Sequence, residues 1–356
     1  MESIQATLLE ALALNASDLH LVPGMPPVLR VSGLLQPMKG APPLTAADTA
    51  VVARELLNRH QWEQLELKGE MDASVSSVGH FRCRLNVFRQ RNSYSLSFRL
   101  LDQNIKSFDS LGLPEIIKEM CVMARGLILI TGPTGTGKTT TIASMLHYMN
   151  QVRNSHIVTL EDPIEYTYQH GNCLINQREI TQDTETYASG LRAALRQDPD
   201  VIMVGEMRDL DSISIALTAA ETGHLVLSTL HTIGAAKSID RIIDVFPYQQ
   251  QQQVRIQLSM VLQGIVSQQL IPGREPGARH LASEVLVANN AVRNLIRNNK
   301  IHQVIQVIET SRDLKMHTMD SSIAALYQAG KISYEDALIY CVDPDSLQKL
   351  FAGKAY

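Results

Sequence analysis

A glycine-rich stretch near the middle of the chain has residue types that can surround a phosphate group. Residues 132–139 read Gly-Pro-Thr-Gly-Thr-Gly-Lys-Thr and fit the pattern G-x-x-x-x-G-K-[ST] at every fixed position. Glycines allow backbone conformations in which successive N–H groups point at one anion, and the helix that follows such a loop adds partial positive charge. The stretch therefore predicts a phosphate-binding P-loop and a bound nucleoside triphosphate.

We expect the parts of this loop to contact the nucleotide or its metal ion. The Lys138 ammonium would reach the β- and γ-phosphates, and the Thr139 hydroxyl would bind Mg²⁺. The apolar run 126–131 before the loop is typical of a buried parallel strand, and residues 140–149 after it have helical apolar spacing. A chance glycine-rich turn would not need this order of strand, loop and helix. The predicted nucleotide-binding residues are Gly132, Pro133, Thr134, Gly135, Thr136, Gly137, Lys138, Thr139 and Thr140.

Carboxylates follow two further apolar runs that we predict to be strands. Glu161 and Glu165 follow the run 157–160, and Glu206 follows the run 201–204. Ligands of open parallel sheets bind beyond the carboxyl ends of the strands. We therefore predict that Glu206 orients or activates the attacking water, with help from Glu161 or Glu165.

The position before Glu206 differs from the usual form of this site. P-loop enzymes commonly hold Mg²⁺ through an aspartate there, whereas this chain has Gly205. Glu206 is therefore predicted to serve either the hydration shell of the metal, beside Thr139, or the attacking water. A solvated surface carboxylate is the alternative for Glu206, and we expect Asp162 to be a structural cap.

Two histidines lie on either side of a third predicted strand. His224 precedes the apolar run 225–230, and His231 follows it. Either histidine is a candidate for sensing the γ-phosphate or positioning water, His231 above all because it stands at a strand end. A lone histidine is more often structural, and that alternative stays open for both.

Arginines are candidates for a further cation at the γ-phosphate. A γ-phosphate approached by a single lysine usually needs a second cation to stabilise the transition state. For each arginine taken alone, a surface salt bridge is the alternative. As a group they indicate a nucleotide cleft shared between domains or subunits. The candidates are Arg82, Arg84 and Arg99 in the N-terminal part, and Arg192, Arg196 and Arg208 in the C-terminal part.

The composition is that of an ordinary soluble globular protein. Of the 356 residues, 45% are hydrophobic and 19% are charged, and the net charge of −4 gives no basic footprint for nucleic acid. No apolar run approaches the roughly 20 residues of a transmembrane helix, and the N-terminus does not resemble a signal peptide. The four cysteines are scattered and predict free thiols. We expect a cytoplasmic protein that meets a membrane only through partners.

Hydrophobic periodicity divides the chain into two domains and a linker. Residues 1–101 mix helices with alternating strands and predict a small α+β domain. Residues 102–114 are predicted to be a linker. In residues 115–356 strands and helices alternate, as in a parallel sheet covered on both faces. From Gln249 onward we expect mostly helix.

Four motifs taken together resemble those of a known family. The combination is similar to the secretion ATPase superfamily, which includes GspE/PulE-like proteins, and within it resembles the PilT-type type IV pilus retraction ATPases. The tetracysteine site and the longer N-terminal region usual in extension ATPases are missing, which favours the retraction branch. The motifs are the P-loop, the acidic box 156–165, the segment 204–209 and the histidine box 222–232; further similar segments are 17–20, 176–179, 240–247, 291–297 and 316–320.

The resemblance implies a fold, cofactors and partners. It implies an α/β protein with a PAS-like α+β N-terminal domain, followed by a RecA-like P-loop NTPase domain with a helical C-terminal part. It also implies a homohexameric ring that binds ATP and Mg²⁺ between the two domains of a subunit and works by domain rotation. The partner would be the inner-membrane pilus platform protein, which would hold the cytoplasmic motor peripherally at that membrane.

We therefore predict an Mg²⁺-dependent ATPase motor that powers pilus retraction. One alternative is an accessory retraction paralogue or a related secretion-system ATPase, because Asn298 stands where the family has Glu. A second is a regulatory module that binds ATP without cycling fast, which the intact Glu206 disfavours. A third is a nucleic-acid translocase, which the missing basic stripe disfavours.

Overall fold

The structure is a computed structural model that describes residues 4–77, 81–101, 104–275 and 277–352. The chain divides into two compact units, Met1–Asn104 with Pro163–Thr167, and Ile105–Asp162 with Tyr168–Tyr356. Some predicted segments lie outside the described residues, namely 1–3 and 78–80 of the first predicted domain, 102–103 of the predicted linker, and 276 and 353–356 of the second predicted domain.

The first unit is built on an antiparallel sheet with helices. Among its described strands the order is β3-β2-β1-β6-β5-β4, and each neighbouring pair is antiparallel. On β5 the side chains alternate between the buried core and a half-buried polar face, as the period of a strand requires. The elements are α1 (Ile4–Ala13), β1 (Ala16–Leu21), β2 (Val28–Val31), β3 (Leu34–Pro37), α2 (Ala46–Leu56), α3 (Arg59–Lys68), β4 (Glu70–Ser77), β5 (Phe81–Gln90) and β6 (Ser93–Leu101).

The second unit is built on a larger, mostly parallel sheet. Its described strands have the order β13-β12-β7-β11-β10-β8-β9, and only β13 runs antiparallel to its neighbour. The first elements are α4 (Phe108–Leu111), α5 (Ile116–Cys121), β7 (Gly126–Thr131), α6 (Lys138–Val152), β8 (His156–Glu161), β9 (Leu174–Glu179), α7 (Tyr187–Ala194), β10 (Val201–Val204), α8 (Leu210–Glu221) and β11 (Leu225–Leu230). They confirm the alternation of strands and helices predicted from the sequence.

The remainder of the second unit carries two strands as well as helices. Its elements are α9 (Ala235–Asp244), α10 (Tyr248–Val261), β12 (Leu262–Pro272), β13 (Arg279–Val287), α11 (Asn290–Arg297), α12 (Val304–Thr310), α13 (Met319–Gln328), α14 (Tyr334–Tyr340) and α15 (Pro344–Phe351), with 3₁₀ helices at Ile301–Gln303 and Arg312–Leu314. The expectation of mostly helix after Gln249 therefore misses β12 and β13. Glutamines and a serine interrupt the apolar pattern of β12, which pairs with β13 and with β7, the latter far away in sequence.

The central strands of the second unit are apolar throughout because both sheet faces are covered. On β7, Leu127 and Leu129 belong to one core cluster, whereas Ile128 and Ile130 belong to the cluster on the other face. This period of two explains why β7, β10 and β11 are apolar runs rather than alternating ones. None of the helices in the described ranges combines the length and apolarity needed to span a bilayer.

Candidate functional site

The predicted P-loop, His231, Glu206 and Glu161 follow four strands that are neighbours in the second sheet. The order β7-β11-β10-β8 is continuous, and these strands are parallel to each other. Their carboxyl ends consequently meet at one edge of the sheet, where open α/β proteins bind ligands. We call this the carboxyl edge, and it brings the four groups together.

The loop that follows β7 requires glycine at its first position. Gly132 has φ +144°, and a Cβ atom there would lie 2.3 Å from the carbonyl oxygen of Gln268 and 2.8 Å from the Thr136 hydroxyl. Gly137 has φ +86° and precedes the first residue of α6 without any side-chain cap. This 15-residue helix therefore begins without a capping side chain at the end that attracts anions.

The remaining loop residues differ in their exposure. The Thr136 hydroxyl donates a hydrogen bond to the carbonyl oxygen of Pro133 at 2.9 Å, which stabilises the turn of the loop. Thr134 and Thr139 are exposed, and Thr140 is half-buried in the first turn of α6. The exposed Thr139 side chain is accessible to solvent, and its metal-binding role stays a prediction.

The Lys138 side chain folds back onto its own loop. Its Nζ atom donates hydrogen bonds to the carbonyl oxygens of Gly132 at 2.7 Å and Pro133 at 2.9 Å. The residue is only 8% exposed. Burial lowers the pKa of Lys138, and the nearby Glu206 carboxylate opposes this shift. A buried cation held by neutral carbonyls is a strong attractor for phosphate oxygens.

His231 lies between Lys138 and Glu206. Its Nδ1 atom is 3.5 Å from Lys138 Nζ, and its Nε2 atom is 3.3 Å from Glu206 Oε2. An ammonium group has no acceptor, so Nδ1 must accept and the ring proton must sit on Nε2. The geometry therefore selects a neutral His231 that donates to Glu206, and one ring connects the P-loop to the acidic strand end.

Glu206 is held on both of its carboxylate oxygens. Arg208 Nε donates to Oε1 at 2.6 Å, and His231 donates to Oε2 at 3.3 Å. The hydrogen bond to Glu206 and its charge raise the pKa of Arg208. The backbone before Glu206 is fixed as well, because Gly205 N donates to Leu160 O at 2.8 Å and Gly205 O accepts from Thr229 Oγ1 at 2.6 Å.

Glu161 is a buried carboxylate at the end of β8. Its Oε1 atom accepts from Thr159 Oγ1 at 2.7 Å and from Gln177 Nε2 at 3.0 Å. The sequence analysis assigned no role to Thr159 or Gln177, although both lie in segments that resemble the family. Strand β9, which carries Gln177, pairs with β8 and thereby supplies this donor.

Glu165 belongs to the first unit, unlike Glu161 and Glu206. Arg82 Nε donates to the Ile164 carbonyl at 2.6 Å, and Arg84 Nη2 lies 3.5 Å from Glu165 Oε1. Both arginines project from β5 toward the segment Pro163–Thr167, which groups with this unit. Within the first unit, the structure thus joins a part of the predicted acidic box to two of the predicted arginines.

Arg99 completes a cationic face on the first sheet. It pairs with Arg84 in the β5–β6 register and with Asp18 in the β1–β6 register. Its Nε atom lies 3.2 Å from Asp18 Oδ1. Like charges opposite each other on neighbouring strands repel, and the carboxylates of Asp18 and Glu165 offset that repulsion.

His224 and two C-terminal arginines contact groups other than the acids of the carboxyl edge. His224 lies at the amino end of β11, opposite the carboxyl edge, and its Nδ1 atom is 2.9 Å from the carbonyl oxygen of Ala219 at the end of α8. Arg192 is 3.8 Å from Asp211, and Arg196 donates to the Arg192 carbonyl at 3.0 Å. Of the second-unit arginines predicted from the sequence, Arg208 is the one that contacts a carboxyl-edge acid.

Comparison with known proteins gives a consistent result over most of the chain. Residues 1–337 match the family described as type II/IV secretion system protein. The type IV pilus retractation ATPase PilT of Pseudomonas aeruginosa is 44% identical over 323 residues, which are 91% of this chain and 93% of that protein. The type IV pilus ATPase PilU of the same organism is 37% identical over 334 residues, 94% of this chain and 87% of that protein.

A solved structure has the same fold. The crystal structure described as the pilus retraction motor PilT with bound ADP aligns with 98% of this chain and 100% of its own, at 48% identity and a TM-score of 0.92. The carboxyl edge therefore belongs to a fold that binds an adenine nucleotide in that protein.

Proposed function

The chain belongs to the type II/IV secretion system protein family, and from this premise we propose that it is a motor ATPase that powers type IV pilus retraction. One observation supports the chemistry above all others. Lys138, His231 and Glu206 form a continuous line of contacts across the carboxyl edge. A phosphate-binding cation and a carboxylate that can act on water are thereby joined by a single imidazole.

Nucleotide binding changes the partners of Lys138. Phosphate oxygens are stronger acceptors for an ammonium group than the two loop carbonyls that hold it in the structure. When Lys138 turns to the β- and γ-phosphates, the Nδ1 atom of His231 loses its donor. His231 is then able to turn its ring toward the γ-phosphate, which is the sensing role that we propose for it.

The residues at the P-loop fit a magnesium ion carried by the nucleotide. Among the described residues no group of three His, Cys, Asp or Glu side chains is placed to hold a metal by itself. Magnesium commonly keeps several waters and binds through few protein groups plus phosphates. The exposed Thr139 hydroxyl would be the direct protein ligand, and Glu206 would hold waters of the hydration shell. The ion would neutralise charge that develops on the phosphates.

Glu206 is the residue that we propose to orient or activate the attacking water. Arg208 and His231 fix its two oxygens, so the carboxylate presents one geometry to water. Glu161 would assist from the end of the neighbouring strand, where Thr159 and Gln177 hold it. Glu165 is the proposed alternative helper of Glu206, and Arg82, Arg84 and Arg99 are the proposed further cations for the γ-phosphate.

The family also supports a proposal for the assembly. We propose a homohexamer of subunits with a PAS-like domain at 1–101, a linker at 102–114 and a RecA-like ATPase domain at 115–356. Its proposed partner is the inner-membrane platform protein of the pilus machine, which would keep a cytoplasmic motor at that membrane. Domain rotation would convert hydrolysis into pilus disassembly.

The test combines size, turnover and motility. We would measure the mass of the purified protein by light scattering with and without Mg-ATP, and phosphate release on the same fractions. The gene would then be deleted and restored in its host, and pilus retraction would be recorded by twitching. A hexamer with turnover, and twitching that returns only with the intact gene, would support the proposal. A monomer that binds ATP without turnover would instead indicate a regulatory module.

An accessory motor is the second candidate. Asn298 follows α11, and its amide donates to the Asn294 carbonyl at 3.0 Å, a bond that a glutamate at this position would lack. The 37% identity to PilU also supports a paralogue of the main motor as an alternative. An accessory protein would restore twitching only in cells that contain a second retraction ATPase. Stimulation of turnover by DNA would point to a translocase.

A further inference from the structure

A tyrosine hydroxyl lies close to the position at which P-loop enzymes usually carry an acidic residue. Many of these enzymes hold Mg²⁺ through an aspartate at the end of a strand, and Gly205 stands at that position here. A Cβ atom built on Gly205 would lie 3.0 Å from the Tyr187 hydroxyl oxygen and 3.2 Å from the Leu160 carbonyl oxygen. An aspartate at 205 would therefore crowd Tyr187. The carboxylate of such an aspartate could reach as far as the Tyr187 oxygen.

The sequence around Tyr187 explains how its side chain reaches this place. Tyr187 is the first residue of α7, and Thr186 with Ser189 forms a capping box that fixes the start of the helix. One turn later, a Cβ atom on Gly190 would be 3.0 Å from Leu160 Cδ2. The absence of a side chain at 190 thus lets α7 lie close on β8, and the absence of one at 205 leaves room for the hydroxyl.

The surroundings of the hydroxyl are acidic. Burial and the charges of Asp162, Glu206 and Glu161 raise the pKa of Tyr187, and Arg208 opposes the shift. These effects favour the neutral form of the phenol. No hydrogen bond from the Tyr187 hydroxyl to another of the described residues is present, so its lone pairs are available to a water at the carboxyl edge.

We propose that Tyr187 is a positioning residue of the nucleotide site, whose hydroxyl oxygen accepts a hydrogen bond from a Mg²⁺-bound water that Glu206 also holds. This inference rests on the proposed ATPase function. Metal-bound water is a strong donor, and in the usual site the aspartate carboxylate accepts from it. Here a neutral oxygen from a helix supplies the acceptor that Gly205 lacks.

The test is the Tyr187→Phe variant, which keeps the ring and removes one oxygen. We would titrate wild type and variant with a fluorescent, non-hydrolysable ATP analogue, with Mg²⁺ and with EDTA. Wild type is expected to bind the analogue more tightly with Mg²⁺. In Tyr187→Phe we expect this Mg²⁺-dependent gain to shrink by roughly three- to tenfold, the effect of one lost hydrogen bond, with unchanged affinity in EDTA.

A matched control is Tyr327→Phe, which removes a hydroxyl from the C-terminal ring cluster of Tyr327, Tyr334 and Phe351. It should behave as wild type in both titrations. An unchanged Mg²⁺-dependent gain in Tyr187→Phe would overturn the inference and leave the ATPase proposal intact. An equal loss in Mg²⁺ and in EDTA would mean a purely structural role, and it would overturn the inference as well. A wild type that binds no nucleotide would instead refute the proposed function.

Discussion

The Nζ atom of Lys138 lies 3.5 Å from Nδ1 of His231, and the far side of the same imidazole faces Glu206 at 3.3 Å. The lysine belongs to the loop after β7 and the histidine to the end of β11, which are neighbouring strands. Any group that draws the Lys138 ammonium away removes the hydrogen-bond donor of His231 Nδ1. This relationship couples occupation of the phosphate site to the hydrogen bonds of the carboxylate that would act on water.

Replacing Lys138 by alanine should remove most of the affinity for nucleotide. The ammonium group supplies charge-assisted hydrogen bonds to phosphate, so we expect ATP affinity to fall roughly 10- to 100-fold. Isothermal titration with a non-hydrolysable analogue measures it. Lys237→Ala, an exposed lysine on α9, is the matched control and should bind as wild type. Wild-type affinity in Lys138→Ala would remove this residue from the site.

Replacing Glu206 by glutamine should separate binding from hydrolysis. The amide keeps the size of the side chain but is not basic, so we expect kcat to fall by about 10²–10⁴ while ATP still binds. Phosphate release and nucleotide titration on one preparation test both halves. The exposed Glu309 on α12 provides the control Glu309→Gln. Normal turnover by Glu206→Gln would refute the assignment of this residue.

Two substitutions of His231 should differ from each other. Glutamine places an amide nitrogen near the position of Nε2 and retains a donor to Glu206, whereas alanine retains nothing. We expect His231→Ala to lower kcat by about tenfold, the value of one hydrogen bond in a shielded site, and His231→Gln to lose less. Single-turnover phosphate release compares them. Identical rates for the two variants would show that the donor to Glu206 has no effect on the reaction.

Gly132→Ala should destabilise the loop as well as block binding. The new Cβ atom would meet the Gln268 carbonyl oxygen at 2.3 Å in a conformation with φ +144°. We expect a loss of roughly 1–3 kcal/mol of unfolding free energy together with loss of nucleotide binding. Gly330→Ala has φ +71° and open space around the new atom, so it tests strain alone and should keep nucleotide binding. Equal affinities in the two alanine variants would contradict this prediction.

The buried thiols should resist alkylation in the folded protein. Burial raises the pKa of both Cys83 and Cys121 to about 12, so at pH 8 the reactive thiolate is only about 10⁻⁴ of either group. Cys341 is half-buried and should react first with iodoacetamide. Peptide mass spectrometry over time gives the order, and in urea all four cysteines should react alike. Fast native labelling of Cys121 would disagree with its burial.

The sequence by itself determined the elements that obey local rules. The P-loop, the apolar strands and the acids at their ends are recognisable because each depends on residues close in the chain. The position of Glu206 and His231 at one edge also followed from sequence, since parallel neighbouring strands place their carboxyl ends together. The resemblance to a family then indicated the nucleotide and the motor function.

The tertiary structure decided everything that depends on distant partners. Pairing with β7 and β13 makes β12 a strand despite its glutamines, and the chain path puts Glu165 with Arg82 and Arg84 in the first unit. His224 and His231 are close in sequence, but they lie at opposite ends of strand β11 and therefore at opposite edges of the sheet. The Tyr187 hydroxyl reaches Gly205 only because α7 packs on β8. Such contacts join residues separated by long loops, and local propensity carries no information about which of them will meet.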